Sequence, residues 1–124
     1  MSHHIETYQN LEVWKWSMEL VQEVYGLTEH FPEIEQMILL KEIRTAAIKI
    51  PAKIAAGYSC GRSGMMYRYY CYGLANLAKL ETHFEQAVRF NYIPKVEAKP
   101  VFEKCKKINK LIEKMVLHDD DEAE

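Results

Sequence analysis

Apolar residues recur at spacings of three and four along almost the whole chain, between short segments that contain proline or glycine. This spacing is typical of α-helices with a buried face, so the pattern predicts an all-α chain of four helices. The predicted breaks fall at residue types that often end or interrupt helices. They are Pro32, Gly57, Gly61, Gly64, Pro94 and Pro100.

The first helix is predicted to begin at Asn10, a residue type favoured at helix N-caps, and to run to about His30. Its apolar positions form two stripes that lie about 130° apart on the helix surface. One stripe comprises Leu11, Trp14, Met18, Val21 and Tyr25, and the other comprises Val13, Leu20, Val24, Leu27 and Phe31. A surface helix of a monomer ordinarily shows one stripe of about 100°. The extra stripe therefore predicts contact with another molecule.

The second helix is predicted from near Glu35 to Gly57, with a proline inside it. Pro51 lacks a backbone N–H, and its ring crowds the carbonyl of Ala47 four residues earlier. In a helix interior this costs about 3 kcal/mol and bends the helix. The sequence therefore predicts a kink at Pro51, and Gly57 is predicted to let the chain leave the helix.

Helices three and four complete the predicted bundle. The third covers about residues 65–91 and again has two apolar lines, roughly 100° apart. The inner line is Met66, Tyr69, Tyr70, Gly73, Leu77, Leu80, Phe84 and Val88, and the second is Met65, Tyr72, Asn76, His83 and Phe90. The fourth helix follows Pro100 and has a lysine-rich outer side.

These elements predict an antiparallel up-down four-helix bundle over residues 10–118. An N-terminal arm of residues 1–9 precedes it. The last six residues, 119–124, read "DDDEAE" and are predicted to form a disordered acidic tail, because a charge-dense segment has nothing to bury. A chain of 124 residues fits one domain.

The net charge of −2 hides a segregation of charge along the chain. Residues 1–40 carry one base and seven acids, and residues 41–68 carry six bases and one acid. Residues 95–118 carry seven lysines and three glutamates. Basic segments favour contact with a phosphate backbone, whereas dedicated nucleic-acid binders are usually basic overall. The alternative is that acidic helix one pairs with basic helix two, and Lys49 and Lys53 are assigned to such contacts.

The motif content predicts no enzyme. No histidine follows a glutamate by three residues, the spacing that di-iron bundles use. The C-x-x-C, H-E-x-x-H, G-x-S-x-G and glycine-rich phosphate-loop patterns are also absent from the sequence. We therefore predict no catalytic residue, no cofactor, no metal site and no small-molecule substrate. Cys60 is interpreted as an idle loop thiol, and His83 as a structural histidine.

The sequence predicts a cytoplasmic protein. It has no run of about 18 apolar residues, the length that a membrane-spanning helix needs. Residues 1–10 lack the basic and apolar regions of a signal peptide. The three cysteines are odd in number and unpaired in spacing, which favours a reduced compartment.

Three segments resemble a known family: "YQNLEVWKWSMELVQEVYGLTEHFP", "IRTAAIKIPAKIAAGY" and "LANLAKLETHFEQAVRFNYI". They are similar to the bacterial four-helix-bundle proteins first noticed as products of intervening sequences within large-subunit ribosomal RNA genes. The likeness spans about residues 8–93, and L-x-V-W together with I-P-A-x-I-A-x-G-Y is its most specific part. It implies an antiparallel bundle that assembles as a ring of five, with no established catalytic chemistry. Distant relatives are the accessory variability proteins of retroelements, which bind nucleic acid and partner a reverse transcriptase.

The chain departs from the family pattern at several polar positions. Relatives typically have glutamine, serine and asparagine where this chain has Glu42, Lys49 and Lys53, and glutamate where it has Ala56. Helical spacing places the three charged residues on one line. No role is assigned to this charged stripe.

Two functional hypotheses follow from the sequence. The first is a non-enzymatic structural or adaptor protein that forms a homo-oligomeric ring, a pentamer as the resemblance implies. Its predicted interface residues are Val13, Leu20, Val24, Leu27, Tyr72 and Phe90. The second is a nucleic-acid-binding accessory protein of an RNA- or retroelement-related system. Its predicted contacts with RNA or DNA are Lys49, Lys53, Lys104, Lys107 and Lys110. The motifs do not support a third alternative, a small-molecule or enzymatic role in a bundle cavity.

Overall fold

A computed structural model describes the backbone of residues 7–123 and the side chains of residues 7–117. The chain forms four α-helices, and no strand occurs in this described part. Short 3-10 turns at Tyr8–Asn10 and Glu33–Glu35 precede the first and second helices. The helices are α1 Glu12–Leu27, α2 Leu39–Ser59, α3 Gly64–Arg89 and α4 Lys95–Ala123. The prediction of an all-α fold with four helices is confirmed.

The four helices pack as a bundle around one apolar core. Helices α2 and α3 share the most extensive contact, and α1 and α4 each contact their neighbours, so that α1 and α3 occupy opposite corners. Every helix supplies fully buried side chains to the core, including Leu20, Ile43, Phe84 and Ile108. The up-down order and the bend at Pro51 stay predictions. So does the division into an arm (1–9), bundle (10–118) and tail (119–124), because residues 1–6 and the side chains after residue 117 lie outside the described part.

The start of α1 differs from the prediction that Asn10 is its N-cap. Asn10 instead belongs to a capping box of the preceding 3-10 turn. The backbone N–H of Gln9 donates to Thr7 Oγ1 at 3.3 Å, and the Thr7 N–H donates to Asn10 Oδ1 at 3.1 Å. Because the Asn10 side chain bonds backwards in this box, α1 begins later, at Glu12, after extended Leu11.

The role predicted for Gly57 is wrong. Helix α2 continues past it to Ser59, and the left-handed backbone needed to leave the helix region is at Gly61, with a φ of +68°. Gly57 is buried, and a Cβ there would lie 2.7 Å from Cε1 of Tyr70 on α3. The missing side chain therefore lets α3 approach α2 closely.

Helix α4 begins at Lys95, one turn and a half before the predicted start at Pro100. The carbonyl of Pro94 accepts hydrogen bonds from the N–H groups of Glu97 and Ala98, both at 3.0 Å. Helix α3 ends at Arg89, and the chain then turns at a left-handed residue, Asn91, with a φ of +64°. After the tight turn between the helices, α4 lies between α1 and α3 and contacts both of them.

Candidate functional site

Three of the predicted interface residues lie inside the chain's own core. Val13, Leu20 and Val24 are only 3%, 0% and 0% exposed, so they have no surface to offer to a second copy. Leu27 is half-buried against the same core. The physical reason is the orientation of α1: this stripe faces the other helices of the bundle. The assignment of Val13, Leu20 and Val24 to an interface is therefore wrong, and that of Leu27 stays a prediction.

The other stripe of α1 faces outward. Met18 is 43% exposed and Tyr25 is 39% exposed, and Trp14 and Val21 are half-buried beside them. The Arg44 guanidinium of α2 lies 4.3 Å from the centre of the Tyr25 ring, and its Nε donates to Thr28 Oγ1 at 3.0 Å. The sequence predicted one stripe in the core and one at the surface, and the structure has one of each. The two are exchanged: the stripe with Val13 is in the core, and the stripe with Met18 is at the surface.

The second apolar line of α3 also lies largely at the surface. Tyr72 and Phe90, the remaining predicted interface residues, are 45% and 57% exposed, and Met65 is exposed as well. Two polar members of the line bond within α3: the Asn76 side chain donates to the Tyr72 carbonyl at 2.9 Å, and His83 Nδ1 lies 2.8 Å from Gln86 Oε1. Exposed apolar and aromatic side chains therefore lie along this line of α3, beside exposed polar residues such as Lys79 and Gln86.

A third apolar surface, on the connection between α1 and α2, was missed from the sequence. Ile34, Met37 and Ile38 are exposed there. This connection meets the α3–α4 turn, since the Tyr92 hydroxyl donates to Glu35 Oε2 at 2.7 Å. The signal that sequence analysis passed over was the run "MILL" at residues 37–40, whose consecutive apolar residues have no helical spacing.

The predicted nucleic-acid contacts are not all available. Lys104 of α4 forms an ion pair with Glu23 of α1, lies 4.0 Å from Glu19, and its side chain is only 14% exposed. Its amine also lies 5.5 Å from the centre of the Trp16 ring. A lysine held this way has little charge to present to a phosphate. Lys104 is therefore corrected from a binding residue to a contact between α1 and α4.

Lys53 does not contact the acids of helix one, contrary to the assignment made from charge. Its amine lies over the rings of Tyr69 and Tyr72, at 5.6 Å and 5.4 Å from their centres. The described ion pairs that involve α1 acids are those of Lys104 instead. Lys53 therefore joins α2 to α3 by cation–π contacts.

The three other predicted lysines, Lys49, Lys107 and Lys110, are exposed. Lys49 is on α2 and the other two are on α4, and these helices occupy opposite corners of the bundle. The Lys107 amine is 6.0 Å from the centre of the Trp16 ring. The structure thus brings Lys107 and Lys110 to one face and leaves Lys49 on another.

The cysteines occupy three different environments. Cys60 is exposed, Cys71 is half-buried and Cys105 is buried, and all three are free thiols. Burial raises the pKa of Cys105 to about 12, with a smaller contribution from the negative charges of Glu81 and Glu23. Residues 7–117 contain no group of three metal-ligating side chains. Within the described chain, no helix has both the length and the apolar character to cross a membrane.

Comparisons with known proteins place this bundle in a family. The sequence model of the 23S rRNA-intervening sequence protein family matches residues 9–114. Among solved structures, the chain is similar to the crystal structure of a protein with unknown function from the S23 ribosomal protein family of Bacteroides thetaiotaomicron. The TM-score is 0.76, and 19% of residues are identical over 84% of this chain and 97% of that one. At this identity the likeness supports the fold alone.

No match to this chain was found among curated proteins. The family model, in contrast, covers all four helices apart from the last turns of α4. Its match begins just before α1, at Gln9, and ends within α4, at Lys114. With most of its length matched, the chain belongs to the 23S rRNA-intervening sequence protein family.

Proposed function

We propose that this protein is a non-enzymatic structural or adaptor protein, and that its bundles assemble into a homo-oligomeric ring of five. The observation that supports this is the presence of exposed apolar side chains on two helices, α1 and α3, in addition to those on the connection between α1 and α2. The outer face of α1 carries Met18 and Tyr25, and the outer face of α3 carries Met65, Tyr72 and Phe90. Met18 and Tyr25 are called the α1 face below, and Met65, Tyr72 and Phe90 are called the α3 face.

The energetic argument concerns apolar surface left in water. Each large side chain on these faces is between 39% and 57% exposed. Burial of apolar surface contributes about 25 cal/mol per Å², so covering several such side chains at once provides several kcal/mol for association. Exposed apolar patches on isolated proteins otherwise favour aggregation. A second copy that covers these faces removes their apolar surface from water and prevents such aggregation.

The positions of the two faces favour a ring over a symmetric dimer. Helices α1 and α3 occupy opposite corners of the bundle, so one face cannot be an extension of the other. If the α1 face of one copy packs on the α3 face of the next, the contact is heterologous. Repeated heterologous contacts close into a ring when the rotation between copies permits. The family resemblance supplies the number five.

The finer features of the fold belong to this proposal. We propose an antiparallel up-down order, which is supported by the meeting of the α1–α2 connection and the α3–α4 turn at one end of the bundle. We also propose a bend at Pro51, which is supported by the position of this proline inside α2. A cytoplasmic location is supported by the three free thiols.

Light scattering coupled to size-exclusion chromatography tests the assembly. The chain has a mass of 14.6 kDa, so a pentamer elutes with a measured mass of about 73 kDa. Met18→Glu and Tyr72→Glu each place a charge on one face and are expected to reduce the mass. Lys110→Glu, an exposed charge change outside both faces, is the matched control. A wild-type mass of one chain at micromolar concentration contradicts the proposal.

A second candidate function is nucleic-acid binding by α4. The specific support is a row of exposed lysines on that helix, comprising Lys106, Lys107, Lys110 and Lys114. Electrophoretic shifts with RNA and DNA at about 50 mM salt and above test it, because phosphate contacts weaken steeply with salt. Lys107→Glu with Lys110→Glu is expected to abolish the shift, and Lys49→Glu, on the opposite corner, to preserve it. No shift at the lowest salt rules this function out.

A further inference from the structure

We infer that the cavity between the end of α3 and the start of α4 binds a small amphipathic anion, an alkyl carboxylate in its simplest form. The cavity has a volume of about 670 Å³, within the range of about 300–1,000 Å³ that is typical of small-molecule sites. Its walls come from the last turns of α3 and the first three turns of α4. This site does not depend on the proposed ring, and it extends the chain's function beyond assembly.

The floor of the cavity is apolar and is anchored to the core. Val88 and Phe102 are half-buried against core residues. The Phe102 ring meets the fully buried ring of Phe84 edge to face, with centroids 5.7 Å apart. Val96, on the wall, is 84% exposed. An alkyl chain lying over Val96 and Phe102 removes apolar surface from water, which favours binding without any movement of the helices.

The rim of the cavity is basic. Lys95, Lys99 and Lys106 all line it. None of the ion pairs among the described residues involves Lys95 or Lys99. Two positive charges that lack a carboxylate partner and stand over an apolar floor favour a ligand with a negative head and an apolar body.

The acidic residues that line the cavity do not neutralise the positive charge of its lysines. Arg89 also lines the cavity, but its Nε donates to Glu85 Oε2 at 2.9 Å, so these two charges offset each other. The other lining acid is Glu103. Lys106 also lies near the carboxylate of Glu81, outside this lining. Lys95 and Lys99 against Glu103 still give the rim a net positive charge.

The lining also disfavours a nucleotide or a sugar. The described residues around the cavity include no hydroxyl and no amide side chain. Sites for ligands with several donors and acceptors place such groups to fix orientation. An alkyl carboxylate needs only apolar contact along its body and a cation at its head, which is what Phe102 and Lys99 provide.

Isothermal titration of the full chain with dodecanoate, kept below its micelle concentration, tests the inference. We expect saturable binding of one dodecanoate per chain, with a dissociation constant of roughly 10–100 µM for a ligand of this size. Dodecyltrimethylammonium has the same chain length and the opposite charge, and we expect it to bind at least about tenfold more weakly. Equal affinity for the two amphiphiles overturns the inference.

Two variants locate the site. Lys99→Glu reverses a rim charge and Val96→Glu places a carboxylate over the floor, and both residues are exposed, so the fold is retained. Each is expected to weaken dodecanoate binding at least about tenfold. Lys114→Glu makes the same charge change on α4 away from the cavity and is expected to stay within about twofold. Unchanged binding by Lys99→Glu and Val96→Glu, or binding of an acidic peptide but not dodecanoate, contradicts the proposal.

Discussion

Gly57 lies at a close approach of α2 and α3. A Cβ at this position would be 2.7 Å and 2.9 Å from two ring carbons of Tyr70, and 3.1 Å from Cβ of Tyr69. The Tyr70 ring is fully buried and has no open space to move into. We expect Gly57→Ala to lower the free energy of unfolding by about 1–3 kcal/mol, the usual cost of overpacking, as measured by urea denaturation.

Gly26 provides the matched control for that variant. It is also a helical glycine, near the end of α1, but nothing lies within 4 Å of a Cβ added there. Alanine is a better helix former than glycine, so Gly26→Ala is expected to raise the free energy of unfolding by about 0.5–1 kcal/mol. If the two variants shift stability in the same direction, close approach at Gly57 is not the reason for its glycine.

Cys105 gives the protein a dependence on alkaline pH. Burial raises the pKa of this thiol from 9.0 to about 12 in the folded chain, so the unfolded chain loses this proton first. The stability from the neutral thiol is full below about pH 9 and is lost as the pH rises towards 12. At about pH 10, the free energy of unfolding of wild type is expected to fall by roughly 1 kcal/mol more than that of Cys105→Ala, relative to pH 8.

Denaturation with urea at the two pH values measures this difference. Cys60 is exposed, so Cys60→Ala is expected to keep the wild-type loss at high pH. Other groups titrate in the same range in all three proteins, and the comparison with the variants removes their shared contribution. An equal loss in wild type and Cys105→Ala means that the buried thiol does not titrate in this way.

At the scale of elements, α1 shows which features sequence can and cannot predict. Periodicity gives the angle between its two stripes, and both stripes are found in the structure. It does not say which stripe faces the core, because that depends on how the other helices pack. Ser17, which follows Val13 by one turn, shows that a polar residue can lie within the buried stripe. It is buried, and its hydroxyl donates to the Val13 carbonyl at 2.7 Å, so it needs no partner outside α1.

The start of α4 was misplaced because Pro100 was interpreted as a boundary. A proline removes the hydrogen bond to the carbonyl four residues earlier, which here belongs to Val96. Val96 is 84% exposed, so this part of α4 lies at the surface, and the missing bond falls in the second turn rather than deep in the helix. Beyond the proline, α4 keeps a regular inward line: Val101, Cys105, Ile108 and Ile112 are all fully buried.

The pairing of α1 with α4 depends on a charge contact that no local pattern predicts. Lys104 and Glu23 are 81 residues apart in the chain. We expect a double-mutant cycle with Lys104→Met and Glu23→Gln to give a coupling energy of about 1 kcal/mol, because the lysine side chain is only 14% exposed. Lys104→Met keeps an unbranched apolar side chain of similar length near Trp16, so we expect packing to change little.

The Glu85–Arg89 pair on α3 is the control for this cycle. Its atoms are 2.9 Å apart, but the glutamate and arginine side chains are 46% and 77% exposed. Exposed pairs at this helical spacing typically contribute about 0.3–0.5 kcal/mol. A coupling energy for Lys104 and Glu23 no larger than that of the control pair shows that the α1–α4 contact rests on apolar packing alone.

At the scale of the whole molecule, two apolar faces on opposite corners distinguish a heterologous ring from a symmetric dimer. In the proposed ring the α1 face of each copy meets the α3 face of the next. Met18→Glu places a charge on the α1 face and leaves the α3 face intact. Tyr72→Glu places a charge on the α3 face and leaves the α1 face intact. Each variant alone therefore has no complete contact to make.

An equimolar mixture of the two variants is expected to form a complex of two chains. The intact α3 face of Met18→Glu covers the intact α1 face of Tyr72→Glu. The charged faces that remain at the two ends of this pair prevent the addition of a third chain. Light scattering and native mass spectrometry, with one variant isotopically labelled, measure the mass and the composition of this complex. A symmetric contact, in which like faces meet, predicts the opposite: Tyr72→Glu alone pairs through its α1 faces, and mixing adds nothing. The mixed complex therefore identifies the contact as heterologous, and self-paired variants without it contradict the proposed ring.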